Sequence, residues 1–244
     1  MPNDRPLVIS GAPASGKSTL APRVAEALGY KHVDLDDEIA TRTGIRLEVA
    51  KVAVRSLTRK RPVHLAEEIL TREAADVVAD PSVDVIVEVI GGIEPARELI
   101  LAALAAGKPV ITANKELLAN HGAELFVAAS EAGVDLLFEA AVAGGIPILR
   151  PLRESLIGED IRRIMGIVNG TTNFILTRMS EEGTSYAEAL SEAQQLGYAE
   201  RDPTADVEGF DAGAKAAILA SIAFGAKVVA GDVYHEGISN ITAT

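Results

Sequence analysis

The chain has 244 residues, long enough for one large α/β domain or for two smaller ones sharing a core. Its formal charge of −12 argues against a nucleic-acid or anionic-membrane surface, and no apolar run approaches the roughly 20 residues that span a bilayer. With 48% apolar residues but 4% aromatic, the core must be built from Ala, Val, Ile and Leu, and the lack of cysteine excludes disulfides and thiolate metal sites. The opening MPNDRP has no apolar signal-peptide core. The plain expectation is a soluble cytoplasmic enzyme acting on a small molecule, with no nucleic-acid or membrane partner.

In chain order, Leu7 to Gly11 reads as a short strand running into a Gly-rich turn, and Lys17 to Leu28 as a helix closed by Gly29. Strands are expected over Lys31–Leu35 and Leu47–Arg55. Val83 to Ile90 is a nearly continuous apolar run, as for a strand covered on both faces. A helix over Pro95–Ala106, a strand over Val110–Ala113, a helix over Glu116–Ala132 and a strand over Val134–Phe138 follow. This alternation predicts a doubly wound parallel α/β sheet. Beyond about Ala140 helices predominate. They are expected over Ile146–Leu156, Thr171–Met179, Ser185–Leu196 and Val207–Phe224, with a strand over Ile161–Val168. A soft boundary near Glu139 separates a nucleotide-binding domain (1–138) from a second domain (139–244).

Gly11, Gly16, Lys17, Ser18 and Thr19 fit G-x-x-x-x-G-K-[ST] between a strand and a helix, the context this motif requires. The backbone amides would cradle a polyphosphate, Lys17 supply a point charge and Ser18 a magnesium ligand, so Mg-ATP is one candidate ligand. Residues 1 to about 44 resemble shikimate kinase. That resemblance implies a carboxylate pair, Asp34 and Asp36, serving magnesium and a diol; a solvated helix N-terminus is the bland alternative. The kinase's later Gly-rich substrate loop and arginine-bearing lid have no counterpart here.

Chemistry also accumulates in the second half. Lys215 sits in an otherwise apolar helix, GAKAAILASIAF, where a lone ammonium is costly unless paired or working. Asp211 is four residues earlier and on the same helical face, so the pair is either a working unit or an ordinary i,i+4 salt bridge. The stretch NGTTN, Asn169 to Asn173, reads as a strand-to-helix turn. Its amides and hydroxyls face a polar ligand, or Thr171 or Thr172 simply caps the helix.

From about Arg46 to the end, the chain resembles homoserine dehydrogenase through an ordered series of strings. These are VDVIVEVIGG, GKPVITANKELLA, FEAAVAGGIPILRPLRESL, GIVNGTTNFIL and GYAERDPTADVEGFDAGAK. The resemblance implies interconversion of L-homoserine and L-aspartate 4-semialdehyde with NAD or NADP, in threonine and methionine biosynthesis. It implies a Rossmann-like domain, here with the phosphate loop as first turn, followed by an α+β catalytic and dimerisation domain, and hence a homodimer.

Residue by residue, the resemblance makes Lys215 the proton donor and Asp211 its positioner. Glu200 falls on the substrate-ammonium position, Asp206, Thr171 and Thr172 on the substrate pocket, and Lys115 and Gly197 on the cofactor side. Glu139, with the backbone oxygens of Val142, Gly144 and Ile146, falls on a monovalent-cation site for Na⁺; a glutamate bonded to a Gly-rich turn is the plainer alternative.

Three features depart from the family. GAPASGKST replaces the G-x-G-x-x-G turn, Arg201 stands where a small residue or proline is expected, and the family continues past NITAT. A catalytic domain cut short there is expected to expose sheet edges. An ATP-binding phosphate-loop protein and an inactive chimeric fragment are the competing expectations.

Overall fold

The computed structural model describes residues 41–59, 61 and 65–242. The expected elements over 7–11, 17–28 and 31–35, the phosphate loop, and Asp34 and Asp36 all lie outside the described residues. The chain divides into two compact units, Met1–Val83 and Asp84–Thr244.

In the first unit, β1 (Val52–Ala53) pairs in parallel with β2 (Leu70–Thr71), followed by helix α1 (Ala74–Ala79). Among the described residues the strand expected over Leu47–Arg55 is limited to Val52–Ala53, which pair with the two residues of β2. Ile45, Leu47 and Val49 stay exposed. Lys51 and Asp80 form an ion pair at 2.8 Å.

The second unit carries a three-stranded parallel sheet, β3 (Ile86–Glu88), β4 (Val110–Thr112) and β5 (Leu136–Leu137), in the order β3-β4-β5. Helix α2 (Ala96–Ala105) connects β3 to β4, and α3 (Lys115–Ala132) connects β4 to β5. This is the alternation that the sequence predicts. Register aligns Ile86 with Val110 and Val110 with Leu136, and these three are buried. With Ile100, Leu104, Leu117 and Leu125 of the helices, they make an aliphatic core.

The other face of the sheet differs from expectation. Val87, Ile111 and Leu137 align across the strands and all are exposed, as are Val85 and Val89. Among the described residues of this unit, α2 and α3 cover one face of the run Val83–Ile90, and no described element of the unit covers the other. Alternation, not the apolar run, decides which residues point inward.

Past β5 the chain makes short turns and one wide π-helical turn, Pro151–Ser155, in place of most of the helix expected over Ile146–Leu156. The strand expected over Ile161–Val168 does not form among the described residues; Met165 and Ile167 are exposed. Helices α4 (Gly170–Glu182) and α5 (Tyr186–Gln195) match the sequence reading. They pack through Ile175, Met179, Ala189 and Ala193 with Val207 and Ile238. The helix expected over Val207–Phe224 forms as α7 (Phe210–Ala223), and Val207 instead ends a separate short helix, α6 (Thr204–Val207). Gly209, at φ 84, lies between them. No described helix is long and apolar enough to cross a membrane.

Candidate active site

Asp211, in the first turn of α7, is 5% exposed and is the hub of the site. Its Oδ2 accepts from Lys215 Nζ at 2.6 Å, closing the i,i+4 pair that the sequence shows. Its Oδ1 lies 2.7 Å from Nζ of Lys115, the first residue of α3. Burial alone would raise this carboxyl's pKa. Hydrogen bonds from Lys115, Lys215 and Asn169 outweigh that, and the net shift is downward, so the group is held as a carboxylate. Lys215 spends a second N–H on the carbonyl of Val168 at 2.7 Å. An ammonium has three donors, so one remains for a further acceptor.

The opening of α4 completes the cluster. Asn169 Nδ2 donates to Asp206 Oδ1 at 2.7 Å and to Asp211 Oδ2 at 2.9 Å. Its Oδ1 accepts from Thr172 N at 2.8 Å. The helix cap is therefore Asn169, not Thr171 or Thr172. Thr171 is buried and donates its hydroxyl to the carbonyl of Tyr198 at 2.7 Å, while the Thr172 hydroxyl donates to Asn169 Oδ1 at 3.0 Å. The structure brings together Lys115, Asp206, Asp211 and Lys215. Glu200 is exposed on the loop after α5 and takes no part in this hydrogen-bonded cluster. Gly197, in the same loop, has φ 78, which a side-chain-bearing residue adopts only at a cost.

Glu139 accepts backbone N–H bonds from Ile148 and Leu149 on Oε1 at 2.6 and 2.9 Å, and from Arg150 on Oε2 at 2.9 Å. It thus bonds the segment that follows the Gly-rich turn. Within that turn Ala143 and Gly144 both have positive φ, 61° and 59°.

The family model described as homoserine dehydrogenase, NAD binding domain, matches residues 19–139, and the homoserine dehydrogenase model matches 147–244. The chain belongs to the homoserine dehydrogenase family. Homoserine dehydrogenase of Corynebacterium glutamicum is 60% identical over 207 residues, 85% of this chain and 46% of that protein. A crystal structure of homoserine dehydrogenase from Thiobacillus denitrificans has TM-score 0.77 at 47% identity, covering 93% of this chain and 50% of that one. A hyperthermophilic archaeal homoserine dehydrogenase in complex with NADPH has TM-score 0.63 at 34% identity, over 81% of this chain and 57% of that one. The chain spans about half the length of the curated relatives it matches. The parallel α/β unit is accordingly the Rossmann-like, NAD-binding type of the homoserine dehydrogenase family.

A second polar network, unanticipated from the sequence, lies at the carboxyl ends of β3 and β4, where ligands of open α/β sheets bind. Glu88, 3% exposed, accepts from Thr112 Oγ1 at 2.6 Å, Ile90 N at 2.6 Å and Gly91 N at 3.2 Å. Asn114 caps α3 through Leu117 N at 3.1 Å and donates to the Gly92 carbonyl at 2.7 Å. A carboxylate inside the apolar run VDVIVEVIGG was the available signal.

Proposed function

We propose that this chain interconverts L-homoserine and L-aspartate 4-semialdehyde with NADP or NAD, in amino-acid biosynthesis. The observation that carries the reading is the buried Asp211 carboxylate gripped by both Lys115 and Lys215. A nicotinamide, when bound, supplies or accepts hydride. NAD(P) fits the unit by family match, and the archaeal relative's NADPH favours the phosphorylated form. Every other step falls to the protein. In the reductive direction the aldehyde carbon gains hydride and its oxygen gains a proton from the remaining Lys215 N–H. Lys215 is then reprotonated from solvent. Asp211 holds that ammonium in place, and Lys115, which opens the helix after β4 and pairs with the same carboxylate, would face the cofactor.

Glu200 would receive the substrate ammonium, with Asp206, Thr171 and Thr172 in the substrate pocket, while Gly197 would let the loop approach the cofactor. The sheet and helices through residue 138 would form the nucleotide-binding domain, and 139–244 the catalytic domain. Glu139, with the carbonyls of Val142, Gly144 and Ile146, would hold Na⁺. The paired positive φ angles of Ala143 and Gly144 and a carboxylate with lone-pair capacity beyond its three amide donors support that assignment. A homodimer and a cytoplasmic location complete the reading.

The test is NADPH-dependent reduction of L-aspartate 4-semialdehyde by the purified chain. Lys215→Ala is expected to abolish turnover with folding intact, and unchanged turnover would reject the assignment. The motif GAPASGKST favours a second reading, a shikimate-kinase-like phosphate loop (Gly11, Gly16, Lys17, Ser18, Thr19) that binds Mg-ATP. Calorimetric titration with Mg-ATP decides it: binding lost in Lys17→Ala supports this reading, and equal binding by that variant ends it.

A further inference from the structure

We propose that Asn169 is a positioning residue, whose side-chain amide holds the carboxylates of Asp206 and Asp211 side by side and so fixes Asp211 as the common anchor of Lys115 and Lys215. The inference rests on the dehydrogenase reading for its effect on turnover, and on geometry alone for its effect on the two acids.

The geometry is complete. Asn169 is 7% exposed, and its amide has two hydrogens and two lone pairs to satisfy. Both hydrogens go to carboxylates, Asp206 Oδ1 at 2.7 Å and Asp211 Oδ2 at 2.9 Å. Both lone pairs are taken by Thr172, through its backbone N at 2.8 Å and its hydroxyl at 3.0 Å. A flipped amide would set its oxygen against two carboxylates and its NH₂ against the Thr172 backbone N–H, so the network admits one orientation.

Capping alone does not require this residue. Ser, Thr or Asp would cap α4 equally well. Only asparagine both accepts from the helix and donates to two acids. Two carboxylates meeting at one point repel, which favours protonation of one of them. A neutral double donor removes that conflict without adding charge. Facing the same point are Lys115 from α3, Lys215 from α7, Asp206 from α6 and the Val168 carbonyl beside Asn169. Residues 168 and 169 therefore touch both members of the Asp211–Lys215 pair: the carbonyl holds the ammonium and the amide holds the carboxylate.

The experiment uses the full chain with Asn169→Ser, which keeps a capping oxygen and removes the bridging donor. Asn169→Asp, which keeps the shape but replaces the donor by a third carboxylate, is its companion. Carboxyl-detected NMR follows the titration of Asp206 and Asp211, and the pH profile of aspartate 4-semialdehyde reduction follows turnover. In the folded Ser variant we expect the Asp211 midpoint to rise and the acid limb of the kcat profile to move to higher pH. We also expect kcat to fall about tenfold with the cofactor KM unchanged. The Asp variant should show the larger titration shift. Unchanged midpoints in folded Asn169→Ser would overturn the proposal, and so would loss of folding in both variants, which would make the amide donor a requirement of folding rather than a positioning group. If the midpoints move while the unmodified chain turns over nothing, the positioning role stands and the dehydrogenase reading falls.

Discussion

Lys115 and Lys215, on separate helices, are joined through one carboxylate, with the Asp211 oxygens 2.7 Å from the first ammonium and 2.6 Å from the second. Two like charges converge there only because a buried opposite charge lies between them. Removing that charge strands an ammonium that is only 16% exposed beside a second one that is 43% exposed. Asp211→Ala should therefore lower stability by about 3 kcal/mol and eliminate turnover, as read by urea unfolding and by the coupled NADPH assay. A loss below about 0.5 kcal/mol would show that water replaces the carboxylate without cost.

The same group sets an acid limit on stability. Its folded pKa is depressed, so below the ordinary value of 3.8 the unfolded chain binds the proton that the folded chain refuses. Its stabilisation is present above that value and lost as pH falls through the folded one. Urea unfolding between about pH 2 and pH 5 should therefore show a shallower pH dependence in Asp211→Asn than in the unmodified chain. Parallel curves would mean that the carboxylate titrates alike in both states.

Glu88 predicts a different phenotype. Three donors, the Thr112 hydroxyl and the amides of Ile90 and Gly91, depend on a carboxylate that is 3% exposed. Glu88→Ala leaves them without a partner and should cost about 2–4 kcal/mol in thermal or urea unfolding. Because this carboxylate ties down the loop beyond β3, the KM for NADPH should rise more than that for the aldehyde. A stable variant with unchanged cofactor KM would remove Glu88 from the nucleotide site.

Gly209 separates α6 from α7 and so places Asp206 and Asp211 at one point. It has φ 84, and a Cβ there would lie 2.8 Å from the Glu236 carbonyl oxygen. Gly209→Ala should destabilise by about 1–3 kcal/mol and lower kcat, measured together on the same preparation. Unaltered melting would show that the chain accepts a side chain at this turn without strain.

Local patterns in the chain were enough for α2, α3, α4, α5, β4 and β5, because spacing of apolar residues and caps such as Ser185 act within a few residues. They were also enough for the Asp211–Lys215 pair, which one helical turn brings together. They failed over Ile161–Val168, an apolar run that reads as a strand, because a strand exists only through a neighbour. Over Val83–Ile90 the strand forms as β3 with one face buried, and which residues turn to that face depends on where the helices pack.

Length, charge, composition and short-range periodicity by themselves determined a parallel α/β chain, and the ordered strings its family. Only the tertiary structure decided that Lys115 reaches Asp211, that Asn169 bridges two acids and that Glu88 of β3 accepts from Thr112 of β4. Each of those contacts joins residues on different elements, and hydrogen-bond geometry between distant segments leaves no period in the sequence that would announce it.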